Sequence, residues 1–579
     1  MSLMSGLYVG ASGLQTSQNA LNTTAHNLSN METVGYTRQQ VQQSDKRYVT
    51  ISKTASAVSY QQAGLGVTYS RVKQIRDYFL DKTYRKESGR SMFYEVSSNV
   101  MEEVESQLGE LNGKAFQSTM ADFWTSIQEL AKDPASSVTQ GLLVQRASEF
   151  VERGIAVYDG LASYQDNLNL QVKQQVGIIN DYGKKILDLN DRIRAIESGG
   201  IEHANDLRDA RNQILDELAE LTSISFAEDA LGNVSVQIEG VDFVKGGTCY
   251  EIGLDTDPYT GFYTPYWPQN ASYRVMDDGS KVYNIDGAEV FDFNIEISSD
   301  LGTDVGGLKA MLLARGDHRA DYTDTAAGNY DKVSQSVIMN IQAEFDQLVH
   351  NVVTKINDIF AQAAGVQQGD LVIRNANGTT ETLTNVKYVE ADPTGYMRNE
   401  DGAPLQMFEK ITTDAYVKVT GEDGKEYWVY EQEDANVPES LYTLKNLKIN
   451  QTLMQRPSTL GFRLEDGSED QATATALKQA FTEEIYSLNP NVQKKVSFND
   501  YYSDMVSQVA NSGYVYRSIY ESQQNTVESI ESARAQVVGV SSDEELSNMI
   551  KFQNAYNASS RYINSLSEML EHIINTLGT

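Results

Sequence analysis

Proline breaks helix interiors, and in this 579-residue chain eight of the nine prolines lie between positions 258 and 490. The stretches 1 to 133, 135 to 257 and 491 to 579 hold none, so each is free to form long helices. Within the first, Met4, Leu7, Ala11, Leu14, Gln18, Leu21, Ala25 and Leu28 follow alternating steps of three and four, with leucine at every seventh place. The last repeats the pattern through Met549, Phe552, Tyr556, Ser559, Ile563, Leu566, Leu570, Ile573 and Leu577. Heptads of this kind mark helices that bury one stripe against a partner, so both chain ends are coiled-coil candidates.

Helical spacing recurs inward, at Leu168, Val172, Ile179, Tyr182, Ile186, Leu189, Ile193 and Ile196, and at Tyr502, Val506, Val509, Tyr516, Tyr520, Val527 and Ile530. A shorter helix is expected through Val337, Ile341, Phe345, Leu348, Ile356 and Ile359. Between these the period changes. Val234, Val236 and Ile238 alternate with polar residues, and two Asp-Gly pairs separate alternating runs, which signals hairpins. One is Asp423-Gly424, between Val417, Val419 and Tyr427, Val429; the other is Asp278-Gly279, between Tyr273, Val275 and Tyr283, Ile285.

The chain is too long for one core, and the expected fold is multidomain α+β: a discontinuous long-helix coiled-coil core built from both chain ends, with inserted β-rich domains. Residues 1–42 with 541–579 form terminal coiled-coil assembly segments, and 43–222 with 497–540, joined by 300–365, form a helical core domain. Residues 223–300 and 366–496 are the β-rich insertions, the second of them outermost.

A net charge of -33 opposes approach to phosphate backbones and anionic lipid, so neither nucleic acid nor a membrane is an expected partner. No apolar run nears the ~18 residues of a membrane-spanning helix. Cys249 is the only cysteine, which excludes an internal disulfide framework. Residues 1 to 31 carry no Lys, Arg, Asp or Glu and no continuous apolar run, unlike a cleavable signal peptide, so export would use another route.

A seam at a chain end serves either its own domain or a neighbouring subunit. The uncharged polar face of the N-terminal segment favours the second, since crowded copies would meet no repulsion there. Isolated helices of this length are marginal in water, so the ends should order when a partner covers Leu7, Leu14, Leu21 and Leu28 or Met549, Tyr556, Ile563, Leu570 and Leu577.

Four strings then resemble one family. A-H-N-L-S-N-M-E-T-V-G-Y-T-R-Q, from Ala25, is similar to the motif that flagellar rod, hook and hook-associated proteins carry after their first helix. Asn27, Asn30, Gly35, Tyr36 and Arg38 are the matching positions. Asn30 suits a helix end, Gly35 a turn with positive φ, and Tyr36 with Arg38 an anchor for the chain leaving the helix. Gly64 to Asp81, Leu207 to Leu218 and Val537 to Ile563 resemble the hook-associated protein 1 family, the last with Asp543, Glu544 and Glu545 opening the final helix, where acids are favoured. His26 and Ser542 depart from the pattern, and the β-rich middle matches nothing.

The resemblance implies a structural subunit of the bacterial flagellum at the hook-filament junction, with its terminal helices packed against hook and filament-side subunits. It further implies a homo-oligomeric ring, contacts with hook protein and hook-associated protein 3, an export chaperone, and an extracellular position reached without a cleaved signal peptide. Another axial protein, of the hook or distal rod, and a secreted adhesin or glycan-binding protein are the alternatives. No enzyme, cofactor or metal is expected. The five histidines lack metal-ligand spacing, and Asp255, Asp257 and Gly261 match a calcium loop only in part, so they read as a turn. Trp267 and Trp428 read as core or strand residues rather than a sugar platform.

Overall fold

The computed structural model describes residues 3–46, 48–52, 61–108, 115–199, 203–277, 280–326, 328–375, 377–464 and 466–577. The helices are α1 (Leu3–Ser29), α2 (Tyr78–Gln107), α3 (Phe116–Lys132), α4 (Ser137–Glu197), α5 (Asn205–Leu221), α6 (Gly307–Arg315), α7 (Tyr330–Val333), α8 (Val337–Ala363), α9 (Gln451–Gln455), α10 (Gln471–Thr482), α11 (Phe498–Val538) and α12 (Ser542–Leu577). Apart from α8, the long helices fall in the three proline-free stretches. At 61 residues α4 spans ~90 Å, and it buries Leu168, Val172, Ile179, Ile186, Leu189 and Ile193 as the spacing requires, while Ile196 is left exposed. α11 lies antiparallel on α2, with Tyr516 beside Tyr94 and Arg534 paired to Asp81.

Strands β1 (Gln39–Asp45) and β4 (Val67–Gln74) pair as an antiparallel ribbon beside α1, with β2 (Val49–Ser52) and β3 (Gln61–Ala63) as a second pair. After α5 come β5 (Ile224–Glu228), β6 (Val234–Ile238), β7 (Val241–Lys245) and β8 (Thr248–Cys249), one antiparallel sheet in that order. Val234, Val236 and Ile238 of β6 are buried in a core shared with Val172, Val176, Ile179 and Ile186 of α4 and Leu215 and Leu218 of α5. Here Gly183 lets the sheet approach α4: a β-carbon on it would stand 2.5 Å from Phe243 Cζ and 2.6 Å from Cys249 Sγ. Two short hairpins follow, β9 (Gly253–Thr256) with β10 (Tyr263–Tyr266), and β11 (Ser272–Val275) with β12 (Lys281–Asn284). Strands β11 and β12 pair as expected; their Asp278-Gly279 turn lies outside the described residues.

The remaining strands are β13 (Gln367–Arg374), β14 (Thr380–Glu390), β15 (Phe408–Lys410), β16 (Tyr416–Thr420), β17 (Glu426–Tyr430) and β18 (Leu447–Ile449). Strands β13, β14, β17 and β16 form a sheet in that order, and β15 pairs with β18. Val417 faces Val429 and Val419 faces Tyr427 across the expected hairpin, with Gly424 at φ +80 in its turn.

One expectation needs correction. The stretch 366–496 is β-rich only as far as Ile449; beyond it the chain runs through short helical turns, α9 and α10. The reason lies in the spacing of Ala474, Leu477, Ala480 and Phe481, which is helical and places one apolar stripe in the core of α3, α4, α8 and α11. Met407, Phe408, Leu444 and Leu453 join that same core, so much of the segment is built onto the helices rather than standing outside them. Among the described residues, none of the buried apolar clusters takes a side chain from α1, the β1–β4 ribbon or α12.

Candidate assembly site at the paired chain ends

α1 and α12 form an antiparallel pair, and the contact on α1 is a stripe of small residues. Gly6, Gly10, Ser17, Ala20, Thr24 and Asn27 are buried, with Gly13 half-buried, at alternating steps of four and three. A β-carbon on Gly10 would stand 2.6 Å from Ile563 Cγ1, one on Gly13 2.8 Å from Ser559 Oγ, and one on Gly6 2.9 Å from Leu566 Cδ1. The glycines therefore let two helix backbones come closer than any side chain on α1 would allow.

This changes the reading of the N-terminal heptad. Leu7, Leu14, Leu21 and Leu28 stand beside the contact, half-buried, while Met4, Ala11, Gln18 and Ala25 are exposed. Close approach thus comes from the glycines. Glycines carry no apolar signal, so the leucines dominated the pattern; the four-three spacing of Gly6, Gly10, Gly13 and Ser17 was the available clue. On α12, Ser559, Ile563 and Leu566 of the expected stripe meet the α1 glycines, with Tyr562 beside them; Met549, Phe552, Tyr556 and Leu570 are half-buried, and Ile573 is exposed. The Leu577 side chain lies outside the described residues. Ser12 on another face of α1 accepts from Val67 N at 3.2 Å and so seats the ribbon.

At the far end of the pair the four family-like strings meet. Asn30 ends α1, its N–H on His26 O at 3.1 Å, and Gly35 turns the chain at φ +79. Tyr36 then returns its hydroxyl to Asn27 Oδ1 at 2.8 Å, and His26 Nδ1 lies 2.9 Å from the same hydroxyl. Asn27 is fully engaged: Oδ1 also accepts from Gln39 N at 3.0 Å, and Nδ2 donates to Gln39 O at 2.8 Å and Glu545 Oε2 at 3.2 Å. Arg38 lies between two acids of α12, 2.7 Å from Glu544 and 2.9 Å from Glu545, and its N–H donates to Val538 O at 2.9 Å. Glu545 is 2% exposed, whereas Asp543 faces outward.

The body side of the joint is Asp209 of α5. It accepts from Thr37 N at 3.2 Å and Gln74 Nε2 at 2.8 Å, with Arg76 at 3.8 Å. Burial pushes its carboxyl up to about 6, against hydrogen bonding from Thr37, which pulls it down. Burial, then the charges of Asp209, Asp206 and Glu545, push the Tyr36 phenol well above its usual value. Arg76 also holds Asp81 at 2.9 Å, Asp81 takes Arg534 of α11 at 2.8 Å, and Arg534 reaches Asp216 at 2.6 Å. Asp209, Gln74 and Arg76 were not singled out from the sequence as site residues, although they lie within strings that carried the resemblance.

Asp257, part of the partial calcium-loop match, closes a turn instead: its Oδ1 accepts from Tyr259 N at 2.8 Å and Thr260 N at 2.7 Å. Trp267 is wholly buried, and Trp428 sits in β17 across from Lys418.

Chain ends paired as a helical rod, set on a helical body through polar contacts, define an axial assembly subunit, and the comparisons give the same class. A model of the flagellar hook-associated protein FlgK helical domain matches residues 101–372, one of the flagella basal body rod protein matches 7–37, and one of the flagellar basal body rod FlgEFG protein C-terminal matches 531–576. Flagellar hook-associated protein 1 of Bacillus subtilis is 24% identical, over 99% of this chain and 98% of that protein. The proteins of that name in Salmonella typhimurium and Escherichia coli are 22% and 23% identical, over 97% of this chain and 98% of theirs. Among solved structures, the flagellar hook junction protein FlgK from Burkholderia pseudomallei aligns over 79% of this chain and all of that one, with 13% identity and a TM-score of 0.48. Along nearly its whole length the chain is similar to the flagellar hook-associated protein 1 family.

Proposed function

We propose that this chain is a structural subunit of the bacterial flagellum that forms the hook-filament junction, with the outward face of the α1–α12 rod as its contact with neighbouring axial subunits. The observation that carries the contact is the division of labour on α1. Its small-residue stripe is taken by α12, while Leu7, Leu14, Leu21 and Leu28 remain half-exposed beside an outer face that carries no Asp, Glu, Lys or Arg. Each such leucine, covered by a neighbour, adds up to ~1.5–3 kcal/mol, which is enough to favour assembly once several copies align. The neighbours on this reading are hook protein, hook-associated protein 3 and further copies of this chain in a ring. An export chaperone serves it before assembly, and its place is outside the cell.

The test separates surface from core. Leu21→Asp should abolish incorporation onto isolated hooks, because a charge would be buried unpaired in the assembled contact. The melting temperature of the free protein should stay within about 2 °C, since surface substitutions usually cost little. Normal incorporation of the variant would exclude this face as the contact.

A further inference from the structure

A small recess opens between α2 and the first strand of the β5–β8 sheet, with a volume of about 180 Å³. Tyr78, Lys82, Arg85 and Lys86 of α2 line it, with Ser223, Ser225 and Phe226 opposite, and no lining residue is acidic. Although the chain carries a net charge of -33, three cations line this recess with no acid among the lining residues. The lysines are exposed, one helical turn apart, and make no ion pair among the described residues.

Arg85 is the second observation. It is 3% exposed, and its guanidinium lies 4.3 Å from the centre of the Phe226 ring, itself a wall of the recess. Nε donates to Asp216 at 2.6 Å and Nη2 to Asn212 Oδ1 at 3.2 Å, but the buried Nη1 has no hydrogen-bond partner. A buried donor left unmade is costly, and a guanidinium fork is matched in shape by an oxyanion. Tyr78 is held in place by its own hydroxyl, which donates to Phe226 O at 2.8 Å.

We infer that this recess is an oxyanion-binding site, taking a phosphate or carboxylate between Arg85 Nη1 and the Lys82 and Lys86 ammonium groups. The anion comes either as a free ion or as the Asp or Glu side chain of a second copy, whose acidic surface offers many.

The test titrates the full-length protein with inorganic phosphate at low ionic strength by calorimetry, alongside the double variant Lys82→Gln, Lys86→Gln. Both lysines are exposed, so the variant should melt with the native protein. Site binding predicts one phosphate per chain, weakened about tenfold or more in the variant. Sedimentation of the concentrated protein, with and without phosphate, separates the two sources. If phosphate disperses a self-association that the variant also lacks, the natural occupant is a carboxylate of a second copy. If phosphate binds and the protein stays monomeric throughout, the occupant is a free anion. Equal phosphate binding by both proteins, or no binding together with no self-association that depends on the lysines, overturns the site.

Discussion

Asn27 uses both ends of its amide, joining α1 to the start of the ribbon through Gln39 and to α12 through Glu545. Replacing it with leucine keeps the volume but leaves Gln39 and Glu545 with unmade bonds, at a cost of ~1–3 kcal/mol confined to the joint. Faster amide exchange in peptides covering 27–45 and 541–550, with slow exchange retained in α4, is the expected outcome for Asn27→Leu. Asp209 adds a pH dependence to the same joint. Its folded pKa of about 6 lies above its ordinary 3.8, so its preference for the folded state is fully present below pH ~4 and is lost as pH rises through 6. Amide protection in the joint, taken relative to the intrinsic base-catalysed rate at each pH, should therefore be lower at pH ~8 than at pH ~5, and Asp209→Asn should flatten that difference.

At the scale of elements, glycine decides two helix contacts. Gly10→Val would drive two methyl groups into Ile563 and spread α12 from α1, so α12 peptides should lose exchange protection while the body melts unchanged. Gly183→Ala puts a β-carbon against Phe243 and Cys249 and should lower the stability of the β5–β8 region by ~1–3 kcal/mol, read by chemical denaturation. These positions mark where the sequence was silent. The long helices, the α12 stripe, the Val417–Val429 hairpin and the turn at Gly35 were legible because each rests on local spacing or on one residue's backbone freedom. The Gly6–Gly10–Gly13 stripe was hidden by the louder leucines. The meeting of Asp209 with Thr37 joins residues 172 positions apart, and the packing of Leu477 and Phe481 on α3 depends on partners more than 300 positions away, neither of which periodicity can supply.

Over the whole molecule several buried groups pull the same way with pH. Burial pushes Glu344 and Asp346 up to about 7, so each favours the folded state less as pH rises through 7. Hydrogen bonds that His318 donates to Asp317 and Asp324 push it up to about 10, and its stabilisation, fully present below its ordinary 6.5, is likewise lost as pH rises toward 10. In the opposite direction, Glu433, held below its usual range chiefly by His350 against burial, loses its contribution as acid protonates it. Thermal unfolding should accordingly give its highest midpoint in acid, at about pH 4 to 5, with a decline toward pH 8.

That rod and body share no apolar core among the described residues has a mechanical consequence. Sliding two oily surfaces apart exposes them to water, whereas a hydrogen bond or ion pair can be handed to water at a net cost of only ~0.5–1.5 kcal/mol. A connection made of Thr37, Gln74 and Arg76 on Asp209, and of the Arg38 backbone N–H on Val538 O, therefore acts as a gimbal. The body can tilt on the rod by exchanging polar partners one at a time, so a subunit gripped along its rod by rigid neighbours can absorb bending without loosening that grip.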